Sequence, residues 1–242
     1  MEAIKKMQDS ITFIRLINDY KITIPVIQRD YAQGRSTPKE TEIRDGFLSA
    51  IIDVLQSSEA KPLILDFIYG STNSDNVFTP LDGQQRLTTL FLLHWYLSEG
   101  SDLIKLTTSE GNSTFSKFSY ETRISSKNFC DKLVQQEYSI IKQTFVNLSQ
   151  EIEELITLAN TKDDESEKKE IFEKLKKLES QKENWKLSNT IKDQAWFLWA
   201  WQKDPTVFSM LVMLDDIESR LSSLTTEQRK YYLDRLEYIV LE

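Results

Sequence analysis

The chain has 242 residues, with 30 Lys and Arg against 38 Asp and Glu for a formal net charge of −8, one cysteine and one histidine. A chain of this length can bury a sizeable core as one large domain or two small ones. The lone Cys130 excludes an intramolecular disulfide, the lone His94 excludes nucleases and hydrolases built on several histidine ligands, and the acidic balance removes the default electrostatic route to nucleic acid through phosphate-binding Lys and Arg.

The opening MEAIKKMQDS lacks the apolar run of a secretion signal, and no window reaches the length of a membrane span. With so little cysteine, a reducing, cytoplasmic setting fits. A short amphipathic helix is predicted near residues 11–17, with Ser10 as its cap. KITIPV alternates and ends at Pro25, the pattern of a short or edge strand. The polar loop QRDYAQGRSTPK follows. Pro38, with Glu40 and Glu42, opens a helix through about Gln56, whose apolar residues Ile43, Phe47, Ala50, Ile51 and Val54 recur at helical spacing. PLILDFIYGS and NVFTPL are strand-like runs on either side of the hairpin-like loop TNSDN. A nearly continuous apolar helix then begins after Asp82 and carries His94, read as satisfied by a neighbouring carbonyl. TFSKFSYETR, residues 114–123, is extended or irregular.

From about Ser126 the pattern is helical almost throughout. EIEELITLAN and the charge-rich TKDDESEKKEIFEKLKKLESQKENW form a solvated helical hairpin arm. The segments DQAWFLWAW and DPTVFSMLVMLDDIESRL are helices that rebuild a core with three tryptophans. Asp204-Pro205 is a helix start, and Thr225 to Gln228 has the form of a capping box. The predicted fold class is α+β: an α/β unit over residues 1–100, then a mainly α-helical subdomain over 101–242 with a charged arm near 150–185. The apolar pattern is still running at YIVLE, which suggests the front part of a longer protein.

The stretch PLDGQQRLTTLFLLHWYL holds the main functional signal. Asp82 is a favourable N-cap, and Gln85 three residues on completes a capping-box pattern. Gly83 lets backbone approach a ligand closely, a helix N-terminus attracts anions, and Arg86 adds a forked donor set suited to phosphate. The plain reading is a cap, a turn and a surface ion pair, but two consecutive glutamines exceed what capping and packing need. A second loop, IPVIQRDYAQGR, places Gln28, Arg29, Asp30, Tyr31, Gln33 and Arg35 just past a strand. If that strand lies beside the one ending at Leu81, both loops open on one sheet edge. Two Gln-Arg pairs would then converge on one anion, with Tyr31 free to stack on a base.

These two elements together resemble the N-terminal domain of the GmrSD family of modification-dependent restriction endonucleases, whose members pair I-P-x-x-Q-R-x-Y with D-G-Q-Q-R-L-T-T-L. LDFIYG, FSYETR and the DQAWF…DPT…ML region are similar to one branch of that family. The resemblance implies a small mixed sheet of the ParB/sulfiredoxin-like fold, in which a G-x-x-R turn at a helix start binds nucleotide phosphates. Gly83, Gln84, Gln85 and Arg86 occupy that pattern. It further implies NTP binding and hydrolysis, of GTP or ATP with Mg²⁺, that licenses DNA cleavage by an HNH-like nuclease domain in phage defence. Ile27 and the Ala-Gln-Gly after Tyr31 depart from the usual family pattern.

The leading expectation is therefore an NTP-hydrolysing regulatory domain of a restriction system. In it Arg86 and the amides from Gly83 to Gln85 hold phosphates, with Gln28 and Tyr31 also in the nucleotide site. Arg29 neutralises developing charge, and Asp82 orients water or holds Mg²⁺. Arg35, Tyr120 and Arg123 form a possible additional pocket through the family resemblance. A ParB-like DNA-binding or nuclease module, and a helical scaffold for a separate nuclease domain, are the alternatives.

Overall fold

The computed structural model describes residues 10–26, 30–35, 37–162 and 164–242. The first part of the chain forms β1 (Ile11–Thr12), α1 (Phe13–Asp19), β2 (Lys21–Ile24), α2 (Pro38–Gln56), β3 (Leu63–Leu65), β4 (Gly70–Thr72), β5 (Val77–Pro80) and α3 (Gln84–Leu97). After it come α4 (Ser101–Ile104), β6 (Thr107–Glu110), β7 (Ser113–Ser116), β8 (Phe118–Tyr120) and α5 (Ile124–Leu133). The remainder is α6 (Tyr138–Thr161), α7 (Glu165–Glu183), α8 (Leu187–Lys192), α9 (Pro205–Leu221), α10 (Thr226–Arg235) and β9 (Ile239–Leu241). The content is mixed, in keeping with the α+β expectation.

The main sheet has the order β4-β5-β2-β8, with β2 parallel to both neighbours and β4 antiparallel to β5. β2 is thus an inner strand rather than the edge strand its proline suggested. Its last ladder pair is Ile24 with Tyr120, so Pro25 falls one residue beyond and its missing N–H removes no rung. FSYETR contributes β8 to this sheet, more order than its sequence pattern promised. A second sheet has the order β1-β9-β3, with β9 at its centre, where Ile239 and Leu241 are buried in step with the apolar alternation in YIVLE. A small hairpin, β6–β7, turns at Gly111 with φ of 61°.

α3 is buried at every residue from Leu87 to Leu97, and a helix apolar on all sides belongs at the centre of a core. It packs against α1, α6, α9 and α10. Its polar residues are satisfied inside the helix or just beside it. The Thr88 and Thr89 hydroxyls bond the carbonyls of Gln84 and Gln85 at 2.8 and 3.0 Å, and His94 Nδ1 meets Leu90 O at 2.7 Å, as the sequence implied. Burial pulls the His94 pKa from 6.5 down to about 4.

α2 starts at Pro38, as predicted, with Thr37 as its cap. The first helix begins at Phe13 behind a Thr12 cap, not at Ile11 behind Ser10, because Ile11 and Thr12 are drawn into pairing with β9. α6 and α7 form the expected hairpin arm with its own small core of Ile152, Leu175 and Leu178. Asp204 caps α9, and the Thr225–Gln228 capping box is present at α10. DQAWFLWAW is not an α-helix: it is a turn followed by a short 3₁₀ segment, Trp199–Lys203. Trp201 is buried there, whereas Trp199 is 76% exposed.

Candidate functional site

Because β5, β2 and β8 run parallel, their carboxyl ends open on one edge of the sheet, and three connections gather there. β5 leads into Leu81-Asp82-Gly83 and α3, β2 leads into the loop containing residues 30–35, and β8 leads through Arg123 into α5. Gln28 and Arg29, the first Gln-Arg pair of the sequence reading, lie outside the described residues.

The first connection differs from the expected capping box. Gly83, not Asp82, is the N-cap of α3, with φ of 90° in the left-handed region. The Asp82 carboxylate accepts the Gly83 N–H at 2.7 Å, one position too early to cap, and Gly83 has no side chain with which to cap α3. Glycine is required twice over here: the backbone needs positive φ, and a Cβ would lie 2.5 Å from Ile68 Cγ1. Gln84, next in the chain, is buried at the start of the helix. The Arg86 guanidinium, 19% exposed, donates to Phe67 O at 2.7 Å and lies 3.4 Å from Asp66 Oδ2 and 3.9 Å from Asp82 Oδ2. Its Nε is buried with no hydrogen-bond partner, leaving one donor of the fork unsatisfied.

The second glutamine has a definite task. Gln85 Oε1 accepts the N–H groups of Ala32 and Gln33 at 2.8 and 3.3 Å, while Nε2 donates to Asp30 O at 3.0 Å. One amide thus satisfies three backbone groups of the second connection, and this explains why the sequence carries more than capping demands. The same loop is held from two other helices. Arg44 of α2 donates to Gln33 O at 2.6 Å and Arg35 O at 3.0 Å while pairing with Asp216 of α9. Gly34 sits so close to α9 that a Cβ would fall 1.9 Å from Ser209 O.

Tyr31 is fully buried, its hydroxyl 2.8 Å from Thr89 Oγ1, and burial pushes its phenol well above the ordinary range. It is therefore a core anchor of the loop and is not available to stack on a base. Tyr120 behaves alike: it is buried, bonds Thr88 at 2.9 Å and has its pKa raised by burial, so it lines no open pocket. The remaining pair of the additional pocket does come together. Arg123 pairs with Asp30, and Arg35 Nη2 lies 3.7 Å from the other oxygen of the same carboxylate.

Sequence reasoning missed Thr88, Thr89, Arg44 and Asp66. The two threonines stand inside the motif, and their presence in an otherwise apolar helix was the available signal; nothing local marked Arg44, whose carboxylate partner Asp216 lies far along the chain.

Residues 13–230 match the family described as GmrSD restriction endonuclease, N-terminal domain. The chain belongs to that family. No curated protein and no solved structure matches it. Membership makes this GmrSD N-terminal domain a component of a restriction, or phage-defence, system that works with a nuclease on DNA. Among the described residues no three His, Cys, Asp or Glu side chains gather where they could hold a metal by themselves, and no helix is long and apolar enough to cross a membrane.

Proposed function

We propose that this GmrSD N-terminal domain binds a nucleoside triphosphate at the Gly83–Arg86 turn and hydrolyses it to regulate DNA cleavage by its nuclease partner. The observation that carries the reading is Arg86. It stands in the first turn of a helix whose N-cap is a glycine, at the carboxyl edge of parallel strands, with a guanidinium whose donors are not all used. A G-x-x-R turn in this position also supports the ParB/sulfiredoxin-like reading of the α/β unit. Backbone amides and a partial positive charge at a helix start favour phosphate, and a guanidinium adds a fixed charge with two-pronged geometry.

Two carboxylates flank that guanidinium, so the turn by itself carries a net negative balance and would repel a polyphosphate. Mg²⁺ resolves this: Asp82 and the 91% exposed Asp66 are oxygen donors suited to an ion that keeps waters and phosphate oxygens in its shell. When bound, such an ion would neutralise charge on the phosphates. Asp82 keeps one oxygen on the Gly83 amide and has the other to offer. With Tyr31 buried, this reading assigns phosphate recognition and no base-stacking residue.

Titration of ATP and GTP with and without Mg²⁺, followed by measurement of phosphate release, tests the proposal. Binding should need Mg²⁺ and should weaken about a hundredfold in Arg86→Ala, the loss of a charge-assisted contact of about 3 kcal/mol. Tight binding that survives Arg86→Ala overturns it.

A further inference from the structure

We infer that Asp30 is an internal counter-anion that a ligand phosphate displaces from Arg35 and Arg123, so that this arginine pair is a second phosphate subsite on the same sheet edge as Arg86. The inference deepens the nucleotide reading above and rests on it for the identity of the ligand.

The charge balance along the edge is uneven. Around Arg86 two carboxylates meet one guanidinium, whereas around Asp30 two guanidiniums meet one carboxylate. The nearby Glu121 carboxylate accepts the Val26 N–H at 3.2 Å and makes no ion pair with either arginine among the described residues. Among the described residues, the surplus positive charge of the edge therefore lies at Arg35 and Arg123. These come from two different connections and point at one small anion between them. A carboxylate and a phosphoryl group present the same pair of acceptor oxygens to a guanidinium fork, and the place held by Asp30 is one a phosphate oxygen pair can take.

The backbone shows how the exchange can occur without unfolding the loop. Gln85 holds the Asp30 carbonyl, and Thr206 Oγ1 accepts the Tyr31 N–H at 3.4 Å, so the peptide unit that follows Asp30 is pinned at both its oxygen and its nitrogen. The Asp30 side chain can rotate away while its backbone stays in place. Gln85 adjoins Arg86 in sequence, so the two subsites share one rigid link. All three groups remain partly exposed, the two arginines more than Asp30, so a solute can reach them. A purely structural ion pair predicts something different: loss of either partner would loosen the loop, and neither loss would improve anion binding.

The test is calorimetric titration of Mg²⁺-ATP, Mg²⁺-GTP and inorganic tripolyphosphate into the wild-type chain, Asp30→Asn, Arg123→Gln and the double variant, with thermal unfolding as a folding check. Asp30→Asn keeps the backbone anchor and the side-chain volume, and should tighten tripolyphosphate and nucleotide about tenfold, the effect of removing one like charge at contact distance. Arg123→Gln should weaken both about tenfold, and the gain from Asp30→Asn should vanish in the double variant. Unchanged or weaker binding by a folded Asp30→Asn overturns the inference, as does a gain that persists without Arg123. If Arg86→Ala leaves tripolyphosphate binding intact while the Asp30 and Arg123 variants shift it in opposite directions, the Arg86 reading fails and this subsite stands. If neither wild type nor Asp30→Asn binds any of the three probes, both fall.

Discussion

Gln85→Leu should unfasten the loop of residues 30–35 from the start of α3. The side chain makes three bonds to loop backbone, at 2.8, 3.3 and 3.0 Å, and leucine of similar size can replace none of them. A hydrogen bond contributes about 1 kcal/mol net, and more when its lone partner stays buried, so the change should cost about 3 kcal/mol. For a chain of this size that lowers the unfolding midpoint by about 6 to 12 °C. Gln85→Glu should fall in between: its oxygens still accept from Ala32 and Gln33, but one now faces the Asp30 carbonyl where a donor stood. The defect in that variant should ease in mild acid, where a protonated carboxyl can donate again. Urea unfolding followed by tryptophan fluorescence gives the stabilities, and amide exchange at Ala32 and Gln33 locates the effect. A cost below about 0.5 kcal/mol in Gln85→Leu, with exchange at those two amides unchanged, would refute the clamp.

Other outcomes follow from the same geometry. Gly34→Ala should cost more than about 3 kcal/mol or prevent folding, because the clash is with rigid α9 backbone rather than a movable side chain; near-native stability in urea would contradict that packing. Thr89→Val should cost about 1 to 3 kcal/mol by stranding the buried Tyr31 hydroxyl, and Tyr31→Phe should remove most of that penalty in a double-mutant cycle. His94 offers a pH test with a definite sign. Its folded pKa of about 4 lies below the ordinary 6.5, so the unfolded chain takes up the proton first as pH falls. This stabilising contribution is complete above about pH 6.5 and is lost as pH drops through about 4, by about 3 kcal/mol in all. Comparing His94→Gln with wild type near pH 7 and near pH 4 isolates it, and a histidine NMR titration near pH 6.5 would refute it.

What the sequence revealed and what it hid divide along a physical line. Local signals were sound where one segment decides its own structure, as with Pro38 behind Thr37, Asp204-Pro205, the Thr225 capping box and the hairpin arm. They failed where distant strands compete for the backbone. Ile11 and Thr12 have helical neighbours but pair with a strand more than two hundred residues away, and FSYETR becomes a strand because β2 offers it an open edge. The convergence of the two loops was legible, since a strand ending at Pro25 and another ending at Leu81 need only lie parallel and adjacent. The roles within the loops were not. Tyr31 looked like a free aromatic because nothing nearby in sequence announces that Thr89 waits for its hydroxyl.

The motif residues therefore do two kinds of work that sequence alone runs together. Gln85, Thr88 and Thr89 turn inward and bind the other two connections to α3, whereas Asp82 and Arg86 stay partly open at the same helix start. The inward set ties the loop of residues 30–35 and the end of β8 to α3 through buried hydrogen bonds. Each connection is anchored by hydrogen bonds to a helix that is itself locked in the core, so the charged groups they carry are fixed by the framework and not by one another. That arrangement places a constraint on any role for the site. Groups pre-set by α3 lose little freedom on binding, so affinity lost through Arg86 or Arg123 should show as lost charge complementarity and not as a disordered loop. Loss of Gln85 should do the reverse, leaving the charges intact but their spacing undefined. If the loop variants and the charge variants gave the same pattern of heat and affinity change, the separation between framework and contact surface would not hold.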